Sequence, residues 1–257
     1  MRNFIKPIAV FLIGIFIASC VTRVPVSNRK QVLAADELML IDQAKLQYDE
    51  FLTTVKVLPQ DDERAQMVTR ISTKIKDASI TYLAKKNQSY RIDGFKWEFN
   101  TVVDSMINAW CMPGGLVVVY TGIMDLAADE EELAVVIGHE IAHAIARHGN
   151  ERITTQYGQE LGGVLAGGRS EVFKTIYGVG STLGVLAYSR KHESEADMIG
   201  LVFMKMAGYD PYKAITFWEK MAANGGHVPE ILSTHPSDAT RIEDIKAFLK
   251  EIDKYIE

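Results

Sequence analysis

Only two cysteines, Cys20 and Cys111, occur in the 257 residues, so no disulfide framework can hold this chain together. A basic excess is also missing: 28 Lys and Arg stand against 33 Asp and Glu, a net charge of −5. That balance excludes the electrostatic footprint of a nucleic-acid binder. Internal repeats and low-complexity tracts are absent, and so is an apolar run of membrane-spanning length. The apolar run near the start, Ile8 to Ala18, falls well short of the roughly 20 residues a spanning helix needs. What remains is 47% apolar and 24% charged, an ordinary globular composition with enough chain for one sizeable core.

The first residues read as a targeting segment. Arg2 and Lys6 form a basic region, Ile8–Ala18 an apolar one, and Ala18-Ser19 a small-residue cleavage end. Ile17-Ala18-Ser19-Cys20 resembles a bacterial lipobox, with Ile where Leu is commoner and Cys20 as the lipidated residue. Val21 rather than Asp follows Cys20. By resemblance to lipoprotein sorting in enteric-type bacteria, this implies an outer-membrane anchor facing the periplasm. The expected organisation is a lipoprotein signal peptide over 1–19, a tether over 20–34, and a folded body over 35–257. Cys111, within Ala109-Trp110-Cys111-Met112, reads as a small buried hydrophobe.

Apolar residues at helical spacing predict one helix from Asp36 to about Val57, ended by Pro59, and a second capped by Asp61. Phe95 to Phe99 alternates at a strand period, and Leu116 to Tyr120 is rich in β-branched residues. With Pro113-Gly114-Gly115 as the turn, Asn108 to Tyr120 reads as a strand–turn–strand unit. Residues 150–188 are glycine-rich and compatible with a helical hairpin or a mobile segment. The expected fold class is α+β, mainly helical, with a small β-sheet beside a central helix.

That central helix carries the chemistry. Asp129-Glu130-Glu131-Glu132 caps it, Gly149 reads as its stop, and His139-Glu140-Ile141-Ala142-His143 sits in its apolar middle. At i and i+4 both imidazoles share one face, with the Glu140 carboxylate beside them: two metal ligands and a general base. A catalytic zinc needs a third ligand. The metzincin extension is excluded, because Ala146 and Gly149 occupy its Gly and third-His positions. His148 is one position out and reads as a helix-end histidine near the dipole. A later run, Ser189 to Gly200, offers Glu193 and Asp197 on one face, with Glu195 pointing away from it. Glu193 completes a His-His-Glu set and Asp197 can orient a ligand ring. His235, in Ser233-Thr234-His235-Pro236, is a further candidate. It could stabilise the transition state, block the metal, or cap structure. Tyr188, Arg190 and Arg241 are weaker candidates for transition-state stabilisation, while His192 and His227 fall off the ligand face.

His139-Glu140-Ile141-Ala142-His143, the Ser189-to-Gly200 run, Thr234-His235-Pro236, Asn108-Ala109 and Pro113-Gly114-Gly115 together resemble one family. It is the HtpX and CAAX prenyl endopeptidase family of gluzincin metallopeptidases. The secreted lipoprotein branch of BepA and LoiP is most similar, with the mitochondrial OMA-type proteases near it. The resemblance covers roughly residues 60–250. It implies a zincin-like metallopeptidase domain and one Zn2+ per chain held by His139, His143 and Glu193, with Glu140 as general base. It also implies polypeptide substrates and hydrolysis of peptide bonds in envelope-protein quality control. A chaperone-like outer-membrane assembly factor with restrained proteolysis is the alternative.

Overall fold

The structure is a computed structural model that describes residues 21–160, 188–223, 231, 232, 235 and 240–257. The signal segment with Cys20, most of the glycine-rich stretch and His227 lie outside these residues. Among the described residues, no helix is long and apolar enough to cross a membrane.

The expected tether is not one. Residues Val21–Arg23 (β1) and Lys30–Val32 (β2) pair as an antiparallel hairpin. Val24 at its turn is fully buried in the main core, and Gln31 is buried as well. Polarity and turn residues suggested a solvated linker; the partners that fix the hairpin lie more than 100 residues away in sequence.

Two helices follow, α1 (Glu37–Thr54) and α2 (Glu63–Lys85). Asp36 caps α1 by accepting the Met39 N–H at 3.1 Å. Asp62, not the expected Asp61, caps α2 by accepting the Arg64 N–H. The Asp62 N–H closes a turn onto the Pro59 carbonyl, which puts Asp62 rather than Asp61 at the helix entrance.

The sheet contains β3 (Glu98–Val102), β4 (Ala109–Met112) and β5 (Leu116–Tyr120) in the order β3-β5-β4. β5 runs parallel to β3 and antiparallel to β4. Its alternate side chains enter two different cores. Leu116, Val118 and Tyr120 pack with Leu40, Tyr48 and Phe51 of α1, while Val117 and Val119 join α2 and the central helix. Burial on both faces explains the unbroken apolar run in this strand. The turn into β5 requires glycine: Gly114 and Gly115 both have positive φ, and a Cβ on Gly115 would meet the Trp97 ring at 2.4 Å.

After the short α3 (Thr121–Leu126) comes the central helix α4 (Glu130–Ile145), buried from Glu132 to Ile145. Asp129 accepts the Glu132 N–H, and the Glu132 carboxylate accepts the Ala128 N–H in return. The helix ends earlier than Gly149. Arg147 adopts φ 57°, its guanidinium donates to the Tyr90 carbonyl, and a new helix α5 (His148–Glu160) starts at once. The helix α6 (Arg190–Met206), capped by Ser189, then crosses α4. At the crossing Gly138 faces Gly200, and a Cβ on Gly200 would lie 2.8 Å from the Gly138 carbonyl carbon. The two backbones therefore touch. This contact sets how closely the face of α6 approaches that of α4. The described chain finishes with α7 (Lys213–Ala223), α8 (Arg241–Leu249) and α9 (Asp253–Ile256).

Candidate metal centre

The crossing of α4 and α6 brings together four residues from three places in the sequence. His139 and His143 come from α4, Glu193 from the first turn of α6, and His235 from the segment before α8. One nitrogen or oxygen of each lies within 4.8 Å of those of the others, and all four are buried. His139 Nε2 is 3.1 Å from His143 Nε2 and 3.3 Å from Glu193 Oε2; His143 Nε2 is 3.4 Å from Glu193 Oε1. His235 Nδ1 stands 3.2 Å from His139 Nε2 and 3.1 Å from Glu193 Oε1.

These separations are a test of fit. Four-coordinate zinc with bonds of about 2.0–2.1 Å places its ligand atoms about 3.3 Å apart. The donor atoms stand at that spacing, and Glu193 Oε2 is buried without a hydrogen bond. Two imidazole nitrogens and a carboxylate converging on one point are the donor types zinc takes. The residues present therefore fit a metal.

Each α4 histidine is held from behind. Asp197 Oδ1 is 2.9 Å from His139 Nδ1, so the ring donates there and leaves Nε2 free toward the cluster. Arg241 clamps the Asp197 carboxylate with two hydrogen bonds of 2.7 and 2.8 Å, and its guanidinium lies 3.3 Å above the Trp218 ring. Burial pushes the Asp197 carboxyl up, but Arg241 and His139 outweigh it and hold the group ionised. On His143, Nδ1 meets His148 Nδ1 at 3.0 Å. Burial lowers His143 well below its ordinary pKa, so it is neutral. His139 is raised to about 9: burial opposes its charge, but Asp197 and Glu193 favour it more strongly. A metal ion would displace that proton. Glu140 faces the site beside the cluster, with Oε1 buried, without a hydrogen bond, and 3.6 Å from His235 Nε2. Burial raises its pKa, which makes it a better proton acceptor.

Comparison with known proteins points to one peptidase family. The model of peptidase family M48 matches residues 70–249. The chain is 31% identical over 247 residues to the mitochondrial metalloendopeptidase OMA1 of Schizosaccharomyces pombe, covering 93% of this chain and 69% of that one. The chain belongs to peptidase family M48. Membership makes it a metalloendopeptidase. It is also 40% identical over 152 residues to the Arabidopsis thaliana OMA1, and 30% identical over 166 residues to the beta-barrel assembly-enhancing protease of Escherichia coli. Each of these two matches covers 58% of this chain, and it spans about a third of either relative, 31% and 34%.

The M48 chain carries site residues that its sequence did not reveal. His148 is not a dipole-facing helix end. It is completely buried at the start of α5, between His143 and Glu195. Glu195 faces away from the cluster, as its helical position requires, yet it too is buried. His192 is buried, stacked on His148 at 4.5 Å and paired with Glu151 at 3.3 Å. Arg241 sits behind His139, with Nη2 3.4 Å from its Nδ1, and Arg190 is exposed. The Tyr188 ring lies 4.0 Å from that of His143, and burial raises its hydroxyl pKa to about 12. Cys111 is free and buried. Trp218 left no signal, because its role depends on where α7 docks.

The buried pair His148 and Glu195 makes acid stability testable. Burial lowers His148 from 6.5 to about 4. Glu195 is raised by burial, but His148, Arg29 and Ser27 bring it from 4.5 down to about 2. Both native values lie below the unfolded ones, so the unfolded chain takes up these protons first as pH falls. The His148 contribution is complete above about 6.5 and is lost toward 4; that of Glu195 is complete above about 4.5 and is lost toward 2. Neutral His143 acts in the same direction as His148. In the metal-free protein His148→Gln should therefore flatten the dependence of melting temperature on pH between about 6.5 and 4. An unchanged slope in a melting series would contradict this.

Proposed function

We propose that this peptidase is a zinc-dependent endopeptidase whose single zinc is held by His139, His143 and Glu193, with Glu140 as general base. The observation that carries this reading is the set of three near-equal separations among those donor atoms, 3.1, 3.3 and 3.4 Å. When bound, zinc supplies Lewis-acid chemistry, acidifying water toward neutral pH and polarising a carbonyl. Glu140 takes a proton from water and passes it to the leaving amine, a task suited to a buried carboxylate of raised pKa. Asp197 holds the His139 ring in the orientation that presents Nε2, and Arg241 keeps Asp197 ionised.

His235 restrains the enzyme in this reading. Its Nδ1 occupies the corner of the donor set where a substrate group would otherwise enter. Withdrawal of His235 then precedes turnover. Casein degradation by wild type and by His235→Ala tests this: the variant should be faster by at least several-fold. A slower variant would make His235 a transition-state stabiliser. Absence of degradation by both would favour the chaperone-like reading.

The substrates are polypeptides of the cell envelope, and the role is their quality control or turnover. The name of the Escherichia coli relative and the kinship with the OMA1 peptidases support this. Residues 1–19 act as a lipoprotein signal peptide and Cys20 carries the lipid, which places the body at the periplasmic face of the outer membrane. Because β1 begins at Val21, that anchor has little slack, and the body would sit against the bilayer. Radiolabelled fatty acid incorporated by wild type and not by Cys20→Ala is the expected result; equal labelling of both would sink the anchor.

A further inference from the structure

We propose that the N-terminal hairpin is a positioning element of the metal centre, acting on His143 through Arg29, Glu195 and His148; this rests on the zinc reading above.

The contacts form one continuous chain. Arg29 Nε and Nη2 donate to the two oxygens of Glu195 at 2.7 and 2.6 Å, and Ser27 Oγ donates to Oε1 at 2.6 Å. The same guanidinium makes a second bidentate pair with Glu151, at 2.6 and 2.7 Å. Gln31 adds a hydrogen bond to Glu151 and one to the Ala146 carbonyl, both 2.8 Å. Arg91 ties the far side, donating to the Arg23 and Ile145 carbonyls. The hairpin thus grips the α4–α5 junction and the first turns of α6 together.

The direction of the hydrogen bonds gives this grip a chemical consequence. A carboxylate only accepts, so at 3.3 Å from Glu195 the His148 Nε2 is the donor. His148, neutral with its proton on Nε2, then has a lone pair on Nδ1. That lone pair accepts from His143 Nδ1–H at 3.0 Å. His143 is left with a bare Nε2, pointing at Glu193 and His139. The arrangement matches the one on the other histidine, where Asp197 fixes His139 and Arg241 fixes Asp197. Each of the two α4 rings is therefore locked in one tautomer by a carboxylate that an arginine holds, directly for His139 and through His148 for His143. For His143 the lock reaches the segment that directly follows Cys20. Partners of this kind are worth one to two orders of magnitude in metal affinity.

The test measures zinc affinity of the full chain in mild detergent by competition with a chromogenic chelator. Circular dichroism of each metal-free variant is recorded in parallel. Arg29→Met and Glu195→Gln should each weaken zinc binding by about 10- to 100-fold. The double variant should be no weaker than the worse single one, because both act through one chain. Arg29→Lys should recover part of the loss, and KM for a peptide substrate should stay unchanged at saturating zinc. As a control, Arg70→Met, which breaks the exposed pair with Glu130, should leave affinity as in wild type. Wild-type affinity in both Arg29→Met and Glu195→Gln overturns the positioning role while leaving the metal site standing. So does a loss confined to variants whose metal-free fold is gone, since that marks a purely structural clasp. Failure of wild type itself to bind zinc overturns the underlying metal reading, and this proposal with it.

Discussion

Glu140→Gln is expected to keep its zinc and to lose about two to four orders of magnitude in peptide hydrolysis. The side chain stands outside the four-residue donor cluster, so an amide of the same shape leaves that cluster intact. What it removes is the carboxylate oxygen that is buried without a hydrogen bond beside the site. An amide cannot take up a proton at neutral pH, so the water is not activated and the leaving amine is not protonated. Metal analysis and peptide turnover on one preparation check both halves. Retained turnover would remove Glu140 from the mechanism, and lost zinc would make it a ligand.

Gly200→Ala should lower both melting temperature and zinc content, the reverse of what helix propensity alone predicts. Within a helix, glycine to alanine is favourable by about 1 kcal/mol. Here the added Cβ would stand 2.8–2.9 Å from the Gly138 carbonyl and the His139 nitrogen, which are backbone atoms unable to rotate away. Overpacking of this kind costs about 1–3 kcal/mol, so the clash wins. The relief available is separation of α4 from α6, and that draws Glu193 and Asp197 away from His139 and His143. A misplacement near 1 Å costs about 100-fold in rate. Activity should therefore fall far more than stability does. A melting temperature raised by the substitution would show that the crossing is not tight.

The parts of the site that were legible in the sequence share a property: their geometry is local. His139 and His143 are one helical turn apart, as are Glu193 and Asp197, so a 3.6-residue period places each pair on one face without knowledge of the fold. Gly138 and Gly200, lacking Cβ atoms, meet where the two helices cross. The strand–turn–strand unit was legible because Gly114 and Gly115 mark a turn that other residues resist. The rest depended on distant partners. Ser27, Arg29 and Gln31 look like linker residues until Glu151 and Glu195 are placed against them. His148 lies off the expected helix end because α4 stops at a left-handed arginine, a conformation that sequence patterns assign to glycine or asparagine. Helical phase turns Glu195 away from the cluster, but phase alone does not say whether such a residue meets water or a half-buried arginine.

Zinc content of wild type, Glu140→Gln, Glu193→Gln and Glu195→Gln, purified side by side, tests the central assignment most directly. The account predicts close to one zinc per chain in wild type and Glu140→Gln, and almost none in Glu193→Gln. Glu195→Gln should retain zinc that a chelator strips more readily. Full zinc in Glu193→Gln, or none in wild type, would contradict it.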